Sequence, residues 1–225
     1  MKKFKGLIFD FNGVLLLDQH LHDEIWKKVA LEIRDREITD DEVKKIFHGR
    51  TNRSVLEYLL GRPVENEELQ ERAAKKELLY QDLAKTMGSE YRLSPGAATL
   101  LNYLHEHNVA YTIATSSPAM NIPFFNTMLG LDQWFDMGKI AFDDGTLRGK
   151  PAPDLYLRAA QLLSLEPRDC VVIEDASSGI AAAHAAGIGH IIAIGPRDSH
   201  ETLRKMEGVS EVIEQLTEVD TSRLF

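Results

Sequence analysis

The stretch LIFDFNGV (residues 7–14) decides the fold of this chain of 225 residues. Its first three residues are apolar and typical of a strand, and the run ends at Asp10. Asn12 and Gly13 follow, a dipeptide that favours a turn. The stretch therefore predicts a short buried strand that ends in an acidic residue and then turns.

Strand-like and helical patterns alternate after residue 92. The predicted strands are 109–114, 140–142, 171–173 and 190–194, and the predicted helices are 97–107, 119–129, 153–164 and 177–186. Alternation of this kind indicates a parallel sheet with helices on both faces.

Residues from about 20 to 87 show helical periodicity and almost no strand signal. Because the first strand has to join the sheet across this block, the block is predicted to be an insertion. The predicted fold class is α/β, with a Rossmann-like parallel-sheet core and an inserted helical cap. The core is expected to comprise residues 1–15 and 93–225, and the cap residues 16–92.

Composition restricts the class of protein. Hydrophobic residues make up 44% of the chain and charged residues 27%, which is typical of a soluble globular protein. The net charge of −9 argues against nucleic acid or an anionic membrane as a main partner. The single cysteine, Cys170, excludes an internal disulfide. No apolar run approaches the ~20 residues of a membrane span, and the start does not resemble a signal peptide. A soluble cytoplasmic protein is expected.

Four polar clusters follow predicted strands, at the ends where open parallel sheets bind ligands. They are DFNGV (10–14), TSS (115–117), GKPAPD (149–154) and EDASSG (174–179). Each cluster alone is a weak signal, because it is more often a turn, a helix cap or a solvated loop. All four in this order predict one common site.

The residue types of these clusters suit phosphoryl transfer. The Asp10 carboxylate can attack phosphorus and form an acyl phosphate. Thr115, Ser116 and Lys150 can hold the negative charge of the transferred group. Two further acids, Glu174 and Asp175, complete an oxygen-rich site of the kind that holds Mg²⁺.

The chain resembles the haloacid dehalogenase-like superfamily, in the branch with a helical cap inserted after the first motif. This branch includes sugar-phosphate phosphatases and β-phosphoglucomutase. The resemblance lies in IFDFNGV (8–14), SPGAATLLNYL (94–104), TIATSS (112–117), GKPAPD (149–154) and VVIEDASSGIAAAHAAG (171–187).

The resemblance implies a role for each matching residue. Asp10 would be the nucleophile and a metal ligand, and Thr115 and Lys150 would hold the phosphoryl group. Asp175, helped by Glu174, would bind Mg²⁺, and the main-chain carbonyl of Asn12 would be the remaining protein ligand.

Asn12 departs from the family pattern, in which a second Asp protonates the leaving alcohol and then activates the hydrolytic water. An amide can do neither near neutral pH, and losing such help costs ~10²–10⁴ in rate. One interpretation is that Asn12 attenuates the activity of an ordinary phosphatase or mutase, either naturally or by engineering. Another is that the reaction has a good leaving group, or that the cap supplies the acid, for example His22. Two further alternatives are binding of phospholigands without turnover and, as a minor one, deamidation of Asn12 to Asp.

Substrate choice is expected to lie in the cap. The candidates are His22, Arg50, Asn52, Arg53 and Lys76. The loop FHGRTNRS (47–54) resembles the family's cap loop, whose arginines could grip a phosphate or carboxylate. Equally, one arginine could pair with Glu57 or cap a helix, His22 could lie on a helix surface, and Lys76 could be solvated.

The favoured function is a Mg²⁺-dependent phosphatase of small phosphorylated metabolites, with sugar phosphates among the candidates. The runner-up is a hexose-phosphate mutase. The mutase pattern has its phosphate-gripping Arg where this chain has Asn52, which argues against that alternative. The substrate and the oligomeric state stay open.

Overall fold

A computed structural model describes residues 3–225. Within them, six parallel strands form one sheet in the order β3-β2-β1-β4-β5-β6. The strands are β1 (Gly6–Phe9), β2 (Ala110–Pro118), β3 (Ala141–Asp143), β4 (Cys170–Glu174), β5 (His190–Ile194) and β6 (Val209–Ile213). Because β1 lies between β2 and β4, the chain order reverses at β1, and a ligand site is expected beside its carboxyl end.

Helices cover both faces of this sheet. Those after β1 and its insertion are α5 (Ala97–Glu106), α6 (Asn121–Leu129), α7 (Asp154–Leu162), α8 (Ser177–Ala185), α9 (His200–Arg204) and α10 (Thr221–Leu224). Successive residues of β1 point to opposite faces: Leu7 and Phe9 lie in the apolar cluster with α5 and α6, and Ile8 lies in the cluster with α7 and α8. The α/β class with a parallel sheet is thereby confirmed.

Four helices lie between β1 and α5, where the insertion was predicted. They are α1 (Gln19–Arg34), α2 (Asp40–Ile46), α3 (Asn52–Leu60) and α4 (Asn66–Thr86). The Thr39 and Thr51 hydroxyls cap α2 and α3, each accepting from a main-chain amide of the first turn. These helices enclose an apolar cluster of their own around Trp26 and Phe47. The division into residues 1–15, 16–92 and 93–225 stays a prediction.

Two features of the sheet differ from the sequence prediction. Strand β2 was expected to end at residue 114 but runs to Pro118, so residues 115–117 belong to the strand and not to a loop after it. Strand β6 was not predicted. Among the helices of residues 3–225, every one is too short or too polar to cross a lipid bilayer.

Candidate active site

Lys150, which follows β3, bonds to acids at the carboxyl ends of β1 and β4. Its ammonium donates to Asp10 Oδ1 at 2.6 Å and to Glu174 Oε2 at 2.7 Å, and its side chain is completely buried. Asp10 directly follows β1, Glu174 is the last residue of β4, and Lys150 lies between β3 and α7. Residues that are up to 164 positions apart in sequence thus meet at the point where the sheet order reverses (Asp10 and Glu174).

Tyr156 of α7 supports this group from one side. Its hydroxyl donates to Glu174 Oε2, and the Lys150 ammonium lies 5.1 Å from the centre of its ring. Glu174 Oε1 accepts from the main-chain amides of Asp175 at 3.2 Å and Ala176 at 3.0 Å. Both oxygens of Glu174 are therefore hydrogen-bonded, which fixes the carboxylate in place.

Three carboxylates converge here. Asp10, Glu174 and Asp175 each offer an oxygen, and these oxygens all lie within 4.8 Å of one another. Burial, followed by the neighbouring Glu174 charge, raises the pKa of Asp10 to about 7, although Lys150 acts in the opposite direction. Burial and Glu174 also raise the pKa of Asp175 well above its ordinary value. A single ammonium does not balance the three acids.

The donor set fits a hard divalent cation. Asp175 Oδ2 accepts from Gln19 Nε2, but among residues 3–225 no donor reaches the buried Oδ1 of Asp175. A buried carboxylate oxygen without a partner is costly, and a cation bound by oxygen ligands would satisfy it. Gly13 leaves the room that this side chain needs: its φ is +95°, and a Cβ there would overlap the Asp175 carboxylate.

Asn12 is held by contacts on both sides of its amide. Its Nδ2 donates to Asp18 Oδ2 at 2.8 Å, and its Oδ1 accepts from Ser117 Oγ at 2.9 Å and Thr115 Oγ1 at 3.4 Å. Because the Asp18 carboxylate can only accept, the amide nitrogen has to face it. The predicted phosphate ligand Thr115 thus lies beside Asn12, and Ser117 joins them.

The loop between α2 and α3 contacts the core at three points. Ser116 Oγ donates to Gly49 O at 2.9 Å, Arg50 Nη1 donates to Lys150 O at 3.0 Å, and Ser178 Oγ donates to His48 O at 3.1 Å. Gly49 has a φ of +71°, and a Cβ there would come within 2.5 Å of the Ser178 hydroxyl. The helical segment therefore closes over the carboxyl ends of the strands.

A cavity of about 70 Å³ remains between the helical segment and the core. Its lining includes Asp10, Asn12, Trp26, Arg50 and Ser116. The cavity is thus bounded by the candidate nucleophile on the core side and by an aromatic ring and a guanidinium on the other.

A family model of haloacid dehalogenase-like hydrolases matches residues 4–187. The chain belongs to this family. It is 34% identical to the β-phosphoglucomutase of Bacillus subtilis over 191 residues, which covers 82% of this chain and 80% of that protein. It is 29% identical to hexitol phosphatase A of Escherichia coli over 213 residues, which covers 95% and 93% of the two chains.

A solved structure of an HAD hydrolase, family IA, variant 3, from Entamoeba histolytica superposes with a TM-score of 0.85 at 37% identity. The match covers 97% of this chain and 96% of that chain. The haloacid dehalogenase-like resemblance that the motifs predicted is confirmed, together with a phosphatase- or mutase-type enzyme family.

Four of the five predicted cap residues of this haloacid dehalogenase-like chain line the cavity. They are His22, Arg50, Asn52 and Lys76. Arg53 lies elsewhere: it donates to Val64 O at 2.8 Å and Asn66 Oδ1 at 2.7 Å and pairs with Glu57 at 3.5 Å. Arg53 thus forms the salt bridge to Glu57 that was one of its two predicted roles, and it does not line the cavity.

Lys76 is buried and paired, not solvated. Its ammonium donates to Glu77 Oε1 at 2.9 Å and to His22 Nδ1 at 3.0 Å. Glu77 also accepts from Asn52 Nδ2 at 2.7 Å and from Asn121 Nδ2 at 2.8 Å. Burial acts to raise the Glu77 pKa, but Lys76 and these hydrogen bonds outweigh it and lower the pKa.

Five residues of the site were missed by sequence reasoning. They are Asp18, Gln19, Glu77, Ser117 and Tyr156. Ser117 belongs to the polar cluster TSS (115–117), and this position could have identified it as a site residue. Tyr156 carried no signal, because a tyrosine near the start of a helix is most often a core residue and its contact with Glu174 is purely tertiary.

Proposed function

We propose that this chain is a Mg²⁺-dependent phosphatase of small phosphorylated metabolites, sugar phosphates first, that works through a phosphorylated Asp10. One observation carries the proposal: Asp10 is fixed by Lys150 at the carboxyl end of β1, inside a cluster of three carboxylates that this single ammonium does not neutralise. The similarity to hexitol phosphatase A supports a carbohydrate phosphate as substrate.

Mg²⁺ would be held by Asp10 and Asp175, with Glu174 beside them and the main-chain carbonyl of Asn12 as a further ligand. When bound, the ion supplies positive charge that stabilises the negative charge of the transferring phosphoryl group. A cation at this cluster also lowers the pKa of Asp10, whose carboxylate form is the one that attacks phosphorus.

The reaction proceeds in two displacements. An Asp10 oxygen forms a bond to phosphorus while the bond from phosphorus to the ester oxygen breaks, and the alkoxide that leaves takes a proton from water. Water then attacks the phosphorus of the acyl phosphate, which releases phosphate and a proton and restores the Asp10 carboxylate. Lys150, next to Asp10, stabilises the charge on the phosphoryl oxygens in both steps.

Asn12 slows both displacements. Its amide neither protonates the leaving oxygen nor accepts a proton from the attacking water. The second displacement has no leaving-group effect to compensate for the missing base, because its only help would be activation of the water. The phosphorylated Asp10 is therefore expected to accumulate. Substrates with good leaving groups should be favoured because they need little protonation.

The cavity favours a monophosphate over a bisphosphate. A mutase must bind a second phosphate, and within the described residues Lys76 is already paired with Glu77 while Asn52 donates to that same carboxylate. Arg50 is the cavity cation with donors to spare, since one of its nitrogens is bonded to Lys150 O. The phosphatase is therefore preferred.

Mutase activity is the second candidate, on the strength of the similarity to β-phosphoglucomutase. It predicts interconversion of hexose phosphates that requires a sugar 1,6-bisphosphate. If sugar 1-phosphates are hydrolysed at the same rate with and without the bisphosphate, and no isomer forms, this candidate is excluded.

The test is a panel of small phosphate esters offered to this chain, to Asn12→Asp and to Asp10→Asn, with and without Mg²⁺. We expect slow Mg²⁺-dependent release of phosphate from the unchanged chain, at least about tenfold faster release from Asn12→Asp, and none from Asp10→Asn. If neither the unchanged chain nor Asn12→Asp releases phosphate from any ester, the proposal is wrong, and a non-catalytic phospholigand-binding protein is the better description.

A further inference from the structure

Asp18 stands directly before α1 but does not cap it. In this position an Asp side chain ordinarily accepts from the free amides of the first helical turn. Here the side chain makes no such bond. Instead Asp18 Oδ2 accepts from Asn12 Nδ2 at 2.8 Å and from the hydroxyl of Tyr80. The carboxylate is turned away from its own helix and toward the active site.

The same carboxylate is buried, with only 1% of the residue exposed. Its second oxygen, Oδ1, has no hydrogen-bond partner among residues 3–225. Burying a carboxylate with an unpaired oxygen destabilises a fold. The effect of this arrangement on the site is a fixed orientation of the Asn12 amide, whose oxygen faces the hydroxyls of Ser117 and Thr115.

We infer that Asn12 and Asp18 form a matched pair, in which Asp18 is a positioning residue and the acidic group lies on residue 18 instead of residue 12. An acid introduced at position 12 alone would place two carboxylates within hydrogen-bond distance. Neither could donate to the other, and their charges would repel. A carboxylate at position 12 is therefore held by residue 18, as the Asn12 amide is now, only when residue 18 is an amide.

The double exchange Asn12→Asp with Asp18→Asn preserves the contacts. The amide nitrogen at position 18, in the place of Oδ2, would donate one hydrogen to the carboxylate at position 12, which reverses the present hydrogen bond. Its other hydrogen would go to the Tyr80 oxygen, and the Tyr80 hydroxyl would then donate to the hydroxyl of Tyr91 at 2.7 Å. The second oxygen at position 12 would still accept from Ser117 and Thr115. The inference rests on the proposed function only for its activity measurement.

The first experiment does not depend on activity. Thermal unfolding is measured without metal for the unchanged chain, Asn12→Asp, Asp18→Asn and the double variant. We expect Asp18→Asn to raise the unfolding temperature by about 3 °C or more in the Asn12→Asp background and to leave it unchanged or lower it in the unchanged chain. Equal shifts in the two backgrounds would show that the residues are not coupled and would overturn the inference.

The second experiment measures turnover with Mg²⁺ on the best substrate of the panel. The double variant should have a kcat about tenfold or more above that of Asn12→Asp, with KM unchanged, because residue 18 orients the side chain at position 12 and does not line the cavity. The matched control is Glu24→Gln in the Asn12→Asp background. It removes the same charge from α1 at a surface position paired with Lys28, and should leave kcat unchanged.

Two activity results would contradict the pairing: a double variant no faster than Asn12→Asp, or a control that accelerates it equally. If none of the proteins turns over any ester, the proposed function fails, and the unfolding cycle alone decides whether the two residues are paired.

Discussion

Two buried lysines differ in their surroundings: Lys76 lines the cavity, and Lys150 is bonded to Asp10, which also lines it. Lys150 lies on the core side among the three carboxylates of Asp10, Glu174 and Asp175. Lys76 lies on the helical side and faces one carboxylate, that of Glu77, which also accepts from two asparagine amides. The first group has an excess of negative charge, whereas the second is balanced.

The difference in charge balance indicates that the group around Lys150 needs a further cation and that the group around Lys76 does not. Beside Lys150, the pKa values of Asp10 and Asp175 are raised and Asp175 has an unpaired oxygen, so this group gains stability from an added cation. The Glu77 carboxylate has a lowered pKa and bonds on both oxygens, so it needs nothing further. We therefore expect the phosphoryl transfer to take place beside Lys150. The residues around Lys76 are expected to stabilise the fold and to contact the substrate.

Replacing the two lysines should give the largest contrast. Lys150→Met removes the cation beside the nucleophile, and kcat should fall by about 10²–10³. Lys76→Met should lower kcat by less than about tenfold and act mainly on KM, because Lys76 lines the cavity and bonds to His22 and Glu77, not to Asp10. Steady-state kinetics of both variants checks this. Similar losses of kcat in the two would abolish the distinction.

Adding Mg²⁺ should stabilise the metal-free protein by about 2.7 kcal/mol at one hundred times its dissociation constant. Calorimetric unfolding after treatment with EDTA measures this gain. Asp175→Asn should lose it, since one ligand of the acidic cluster is neutralised. Glu77→Gln is the matched control and should retain it in full. A gain of the same size in Asp175→Asn would place the ion elsewhere.

Glu77→Gln should destabilise the fold by about 2 kcal/mol at pH 7, because a buried lysine loses its charged partner. The pKa of Glu77 is lowered below its ordinary value of 4.5, so its stabilising contribution is present above pH 4.5 and is lost as the pH falls below it. The difference in unfolding free energy between the variant and the unchanged chain should therefore shrink between pH 5 and the acid limit. A difference that stays constant with pH would show that the negative charge of Glu77 does not stabilise the fold.

The smallest effect is expected at Arg53. Its ion pair with Glu57 is partly exposed, and such pairs contribute little. Arg53→Leu should change kcat and KM by less than about twofold. The matched variant Arg50→Leu should raise KM, because Arg50 lines the cavity. Equal changes in KM would show that Arg53 reaches the substrate.

The sheet core and the residues of its four polar clusters were predictable because they depend on local patterns. Strand β4 is entirely buried, and it is an unbroken apolar run up to its last residue, Glu174. Strand β6 was missed because it is an edge strand with an exposed Ser210 and a half-exposed Glu211, which break that pattern. The predicted end of β2 was too early, because polar residues end the apolar run after residue 114 although they remain in the strand.

The contacts that decide the chemistry were less predictable. Asp18 looks like a helix cap and Lys76 like a surface residue of a charged helix, and only the packing of α1 on α4 shows what each contacts. The orientation of Asn12 depends on Asp18, Ser117 and Thr115 together. Such contacts arise from tertiary packing, and spacing along the chain does not encode them.

Phosphorylation of Asp10 can be observed directly by intact-protein mass spectrometry after incubation with an aryl phosphate and Mg²⁺. We expect a mass increase of one phosphoryl group that maps to Asp10, is absent without Mg²⁺ and in Asp10→Asn, and persists longer in the unchanged chain than in Asn12→Asp. Release of phosphate with no such adduct in any of these proteins, even on rapid quenching, would contradict this expectation.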